Sequence, residues 1–168
     1  MPRNALLLLS RLLLAALFVP SGFHALANIS GTTSYFAGLG LPLPALAAWG
    51  TGLFELIAGL LVLVGFQTRI VGLLLAAFCV AAGLIGHYGQ GGDDAMLAFL
   101  HQQMLMKDIA IAGGFLALAM AGAGAWSIDG RSFGVGADIL DRQHQPAVGD
   151  PGQLRQPAGR ALAIEVGK

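Results

Sequence analysis

LPALAAWGTGLFELIAGLLVLVGF, residues 43–66, carries a single ionisable side chain, Glu55. At ~1.5 Å per residue, a helix of this length crosses the ~30 Å hydrocarbon core of a bilayer. Gln67, Thr68 and Arg69 follow, and a second apolar run, Ile70 to Tyr88, begins at once. So tight a turn makes the two runs antiparallel neighbours. Further out lie Ala5 to Ala27 on one side and Leu105 to Ala125 on the other. All four runs are of spanning length, and none has the wide polar face of a helix in a soluble bundle. The pattern predicts an all-α, polytopic membrane protein, a four-transmembrane-helix bundle.

Composition agrees. Hydrophobic residues make up 56% of the 168 and charged residues 11%, with a mean hydropathy of +0.74. A soluble domain has about a quarter of its residues charged, so much of this surface faces lipid. Nine basic and nine acidic residues cancel, and no basic patch offers a nucleic-acid interface. Cys79 is the only cysteine and lies in an apolar run, as a small filler rather than half of a disulfide. There is no nucleotide loop, haem CxxCH, CxxC pair or nucleophile elbow, and no internal repeat of the transporter kind.

The connections and charges set the organisation. Between the first two spans, Ser30 or Thr32 is placed to cap a short interfacial helix carrying Tyr35 and Phe36, ended by Gly38 or Gly40 before Pro42. The third connection is expected to run from Gly89 to Gln103, with Asp93 and Asp94. Arg3 and Arg11 flank the first span, Arg69 sits in the second turn, and five basic residues follow the last span. The positive-inside rule therefore predicts both termini and the Arg69 turn in the cytoplasm of a cell with a bacterial-type inner membrane. Arg3, the leucine-rich run and Ala25-Leu-Ala27 also fit a cleavable signal peptide, although Arg11 interrupts the run and His24 stands at the cleavage position. The domain reading is one membrane domain over residues 1–130 and a disordered cytoplasmic tail over residues 131–168, too poor in apolar residues to build a core.

Small residues recur at helical spacing and predict the faces that turn inward: Ala48, Gly52, Glu55 and Gly59 in the second span; Gly72, Ala76, Cys79, Gly83 and His87 in the third; Lys107, Ala110, Gly114, Ala117 and Ala121 in the fourth. Glu55 is the sharpest signal. A carboxylate near mid-membrane must pair, meet water or hold a proton; it is the candidate catalytic residue for proton or quinone handling, or else a hydrogen-bonded tie between helices. His24, Asn28, His87, His101 and Lys107 all fall at the outer mouth, and His24, Asn28, His87 and Lys107 form the candidate substrate-binding set. No metal site is expected, because the spacings match no compact ligand motif and Lys107 repels a cation. Arg11 is expected to snorkel to the cytoplasmic headgroups.

Five segments in order resemble the DoxX family of small membrane proteins: Ser21-Gly-Phe-His-Ala-Leu-Ala-Asn28, Tyr35-Phe-Ala-Gly-Leu-Gly-Leu-Pro-Leu-Pro44, Phe54-Glu-Leu-Ile-Ala-Gly59, Gly65-Phe-Gln-Thr-Arg69 and Met106-Lys-Asp-Ile-Ala-Ile-Ala-Gly-Gly114. The resemblance extends over roughly Leu6 to Asp129. It departs at His24 and Ala25, where the family usually has a lysine, and at Asp108, where asparagine is more typical. The resemblance implies a four-helix membrane fold and, for some members, association with quinol oxidase or thiosulfate–quinone modules. From it comes the expectation of a subunit or partner of a quinone-linked respiratory or redox-stress system, with quinone the ligand, redox proteins the partners and no covalent cofactor. Two other readings stand beside it: a non-catalytic assembly or scaffold subunit, and a small-solute transporter built by oligomerisation.

Overall fold

The computed structural model describes residues 3–131. Five helices follow in chain order: α1 (Arg3–Ala27), α2 (Ile29–Gly38), α3 (Pro44–Val64), α4 (Thr68–His87) and α5 (Ala95–Ala121). Among the described residues there is no strand, and α1, α3, α4 and α5 are each long and apolar enough to cross a membrane. The short links make successive spans antiparallel. Arg3, the α3–α4 turn and the end of α5 therefore share one end of the bundle, here the termini end. Helix α2 and the α4–α5 link lie at the far end.

The bundle is built from two close helix pairs, α1 with α3 and α4 with α5, and glycine explains both. A Cβ on Gly22 would overlap the Leu56 amide nitrogen and come within 2.8 Å of the Gly52 carbonyl oxygen. At Gly59 it would stand 3.1 Å from the Val19 nitrogen. In the second pair, a Cβ on Gly72 would lie 3.2 Å from the Phe115 carbonyl oxygen, and one on Gly83 would lie 3.0 Å from Asp108 Cβ. Backbones approach this closely because, in lipid, helix association depends on contact rather than on expulsion of water. Phe18 of α1 joins the pairs, edge-on to Phe115 at 5.2 Å and 75°, within a core of Ala58, Val62, Leu75 and Leu118. Outward-facing Leu13, Ile57, Ile70 and Met120 are exposed, as a lipid-facing surface requires.

The α3 and α4 stripes lie inward as expected, with Ala48, Gly52, Gly59, Gly72, Ala76, Cys79 and Gly83 buried. The α5 stripe does not. Lys107, Ala110, Gly114, Ala117 and Ala121 are exposed, and α5 buries Leu105, Ala112, Phe115, Leu118 and Ala119 instead. Small residues are needed on only one of two facing helices; α4 supplies them, and Phe115 and Leu118 fill the room they leave.

Three further expectations are corrected. Helix α5 begins at Ala95, where Asp94 Oδ1 accepts from the Met96 and Leu97 amides at 2.9 and 3.1 Å, so residues 95–103 are helix rather than loop. Its 27 residues rise ~40 Å, which requires tilt or a projecting end. The cap of α2 is Asn28, whose Oδ1 accepts from the Gly31 amide at 3.3 Å, not Ser30 or Thr32. Arg11 does not snorkel. It is 1% exposed, its Nη2 donates to the Trp126 carbonyl at 2.5 Å, and Gly65 leaves it the space it occupies. The expected tail lies outside the described residues, except for Arg131.

Candidate functional site

One group of polar side chains, from α1, α3, α4 and α5, comes together between mid-span and the far end of the bundle. The second span predicts Glu55 on its inward face, and α3 places it there, half-buried, with the Ser21 side chain of α1 donating to its carboxyl. At the far end of α4, about five turns from Thr68, the inward stripe ends at His87. His87 Nδ1 stands 3.0 Å from His101 Nδ1 of α5, so one ring donates and the other accepts. On its other edge, His87 Nε2 lies 3.8 Å from Asp108 Oδ2. A cavity of about 540 Å³ connects these groups, with Ser21, Thr51, Glu55, His87 and Asp108 in its wall. Phe36, Leu39, Phe78 and Ile85 line the rest, together with Tyr35. Cys79 is buried in the hydrophobic core and does not line the cavity.

Local sequence accounts for each placement. Asp108 folds over Gly83, whose missing side chain leaves space for the carboxylate. Gly86 leaves similar space beside the Tyr35 hydroxyl. Tyr35 reaches the cavity because Asn28 restarts the chain as α2 one residue after α1 ends, and that helix lies across α3. The arrangement can hold a flat amphipathic molecule of modest size, with hydrogen-bonding groups at two separated edges and apolar faces between them.

Of the residues singled out by sequence, Glu55 and His87 meet in this cavity. His24 and Lys107 are exposed and do not line it. Asn28 is exposed and serves as the α2 cap. The residue missed as a site member is Asp108. Its signal was the spacing His101, Leu105, Asp108, Ala112, one face of a helix, on which Leu105 and Ala112 are buried; Lys107 lies one residue, or about 100°, away from it. Among the described residues, no three His, Cys, Asp or Glu side chains are grouped as a metal site would need.

Comparison with known proteins agrees with this architecture. The sequence profile of the DoxX family matches residues 6–88. The inner membrane protein YphA of Escherichia coli (strain K12) is 35% identical over 134 residues, which is 77% of this chain and 91% of that protein. The chain belongs to the DoxX family. A second Escherichia coli relative, the inner membrane protein YqjF, is 34% identical over 127 residues, covering 73% of the chain and 88% of that protein. CatD of Bacillus subtilis (strain 168), named provisionally as an oxidoreductase, is 36% identical over 75 residues, 45% of this chain and 54% of its own. No solved structure matches. With its four spans and these relatives, this DoxX protein is a multi-pass protein of the inner membrane.

Proposed function

We propose that this DoxX protein is the membrane component of a quinone-linked redox system, and that the Glu55 cavity receives the quinone ring. The observation that carries the reading is the cavity's chemistry: an apolar slot with a carboxyl at one edge and a histidine–carboxylate pair at another. A quinone ring has flat apolar faces and a carbonyl oxygen on each of two opposite edges, which is the complementary pattern. Glu55 with Ser21 would hold one oxygen and His87 the other. The ring takes up two protons with two electrons on reduction to the quinol; this chain's residues contribute the protons. Glu55 serves as the inner donor, and His101, His87 and Asp108 form a path for protons from the aqueous far end. Electrons come from a partner protein. The CatD relative's provisional oxidoreductase name points the same way. By the arginine distribution, the termini end is cytoplasmic and the far end faces outward.

The reading is tested by purifying the full chain from membranes in mild detergent, extracting lipids and measuring quinone per mole of protein. Quinone retained by the natural chain and lost from Glu55→Gln, with the variant folded normally, supports it. A folded natural chain that retains none contradicts it.

The Ser21–Glu55 hydrogen bond also favours a second reading, a non-catalytic scaffold subunit. There Glu55 ties α1 to α3 and nothing more, and Glu55→Gln retains full activity in cells.

A further inference from the structure

The cavity that holds Glu55 does not stay inside the bundle. Besides Gly86 and His87, α4 gives its wall Phe78, Ala81, Ala82 and Ile85. At about 100° per residue, Ala82 stands roughly 60° from the inward direction of buried Cys79, Phe78 roughly 100°, Ile85 roughly 120° and Ala81 roughly 160°, all on one flank. The wall therefore turns from the bundle interior out to the lipid. Leu74, two turns before Ala81 on the same line of the helix, is 53% exposed, as a lipid-facing position is. Ala81 and Ala82 are themselves exposed, and Ile85 is 51% accessible.

Apolar side chains stand at the two ends of the cavity. Phe78 meets the Phe54 ring at 5.0 Å and the Phe18 ring at 6.3 Å, a floor toward the core. Toward the far end, Tyr35, Phe36, Leu39 and Leu41 of α2 and the link after it form a roof. The Tyr35 hydroxyl reaches α4, 3.3 Å from where a Gly86 Cβ would stand. Between floor and roof lies the exposed flank, edged by the short side chains of Ala81 and Ala82. Ala81 precedes the end of α4 at His87 by six residues, or ~9 Å along the axis, which puts the opening in the hydrocarbon rather than among the headgroups.

We propose that this flank is a lateral portal, and that the ligand is a hydrocarbon-tailed quinone dissolved in the bilayer, its ring at Glu55 and its tail leaving past Ala81 and Ile85. The inference rests on the reading of the Glu55 cavity as a quinone site, and adds which quinone it takes and by which path. A cavity of about 540 Å³ holds a ring but not a long chain as well, so the tail needs an exit. An alkyl chain left in lipid stays in its preferred surroundings, whereas the ring oxygens find hydrogen-bonding groups only inside. Protons need not share this route, because His101 and His87 lead in from the far end.

The test compares a benzoquinone bearing a decyl chain with the same ring lacking it, each titrated against the full chain in nanodiscs, with uptake by protein-free nanodiscs subtracted. The natural chain should bind both saturably. Ala81→Trp, which sets an indole in the mouth and leaves the ring's contacts in place, should weaken the tailed quinone by roughly tenfold or more and leave the tail-less ring unchanged. Leu74→Trp, on the same lipid-facing line but outside the cavity, should alter neither. Natural-level binding of the tailed quinone by Ala81→Trp would overturn the portal and leave the ring site standing. So would loss of both ligands from folded Ala81→Trp, since that would assign Ala81 to the ring site itself. A folded natural chain that binds neither ligand would overturn the ring site, and the portal with it.

Discussion

Replacing Gly65 with alanine probes the termini-end lock most severely. Gly65 ends α3 at φ 69° and ψ 51°, a left-handed conformation that costs a residue with a Cβ ~1–2 kcal/mol. Its Cβ would overlap Arg11 Nη1 and stand 2.5 Å from Ser127 Cβ. Neither neighbour is the loose end of a surface chain: Arg11 and Ser127 are both buried. Arg11 must move, and its charged hydrogen bond to the Trp126 carbonyl goes with it, at ~1.5–3 kcal/mol. Together the two terms predict that Gly65→Ala destabilises the fold by about 2.5–5 kcal/mol. Unfolding of the purified protein in mixed micelles, followed by circular dichroism, reads this directly. Adding Arg11→Ala removes the overlap with the guanidinium and leaves only the contact with Ser127, so the double variant should cost at least ~1 kcal/mol less than the sum of the singles. Stability of Gly65→Ala within ~0.5 kcal/mol of the natural chain, below any of these terms, would refute the packing described for Arg11.

Three further outcomes follow from the same geometry. Asp129→Ala removes the carboxylate that caps α4 at the Gln67 and Thr68 amides and should cost ~1–2 kcal/mol in the same unfolding assay. Glu55→Leu, which leaves Ser21 without its acceptor, should cost on the order of 1–2 kcal/mol, whereas Glu55→Gln should stay within ~0.5 kcal/mol because an amide oxygen still accepts. A reporter active only in the periplasm should work when fused after Gly92 and fail after Arg131, and the reverse pattern would invert the proposed orientation.

The spans were legible because a helix in lipid must be apolar on every side for ~20 residues, and residues 43–66 and 70–88 say so without reference to anything else. The inward faces of α3 and α4 were legible too, since glycine and alanine at Gly52, Gly59, Gly72 and Gly83 mark where backbones must meet. That put Glu55 and His87 on the cavity side. Helix α5 misled for a related reason: it carries a small-residue stripe at Ala110, Gly114, Ala117 and Ala121 as well as an apolar face at Leu105, Ala112 and Phe115, and spacing alone ranks the stripe first. The choice displaced Lys107 for Asp108. The burial of Arg11 was beyond local reading. Its acceptor, the Trp126 carbonyl, is 115 residues away, and no local pattern announces a backbone oxygen delivered by the chain's return to the termini end.

The central claim is that the Glu55 cavity is a binding site for a quinone ring, and filling the cavity tests it most directly. Ala82 lines the cavity and is exposed, so Ala82→Trp can occupy the slot without displacing the core. Equilibrium titration of the purified chain with a short-chain, water-soluble quinone should show saturable binding by the natural protein and none by Ala82→Trp, with the unfolding of the two unchanged. Equal binding by both, or no saturable binding by either while the protein remains folded, would contradict the account.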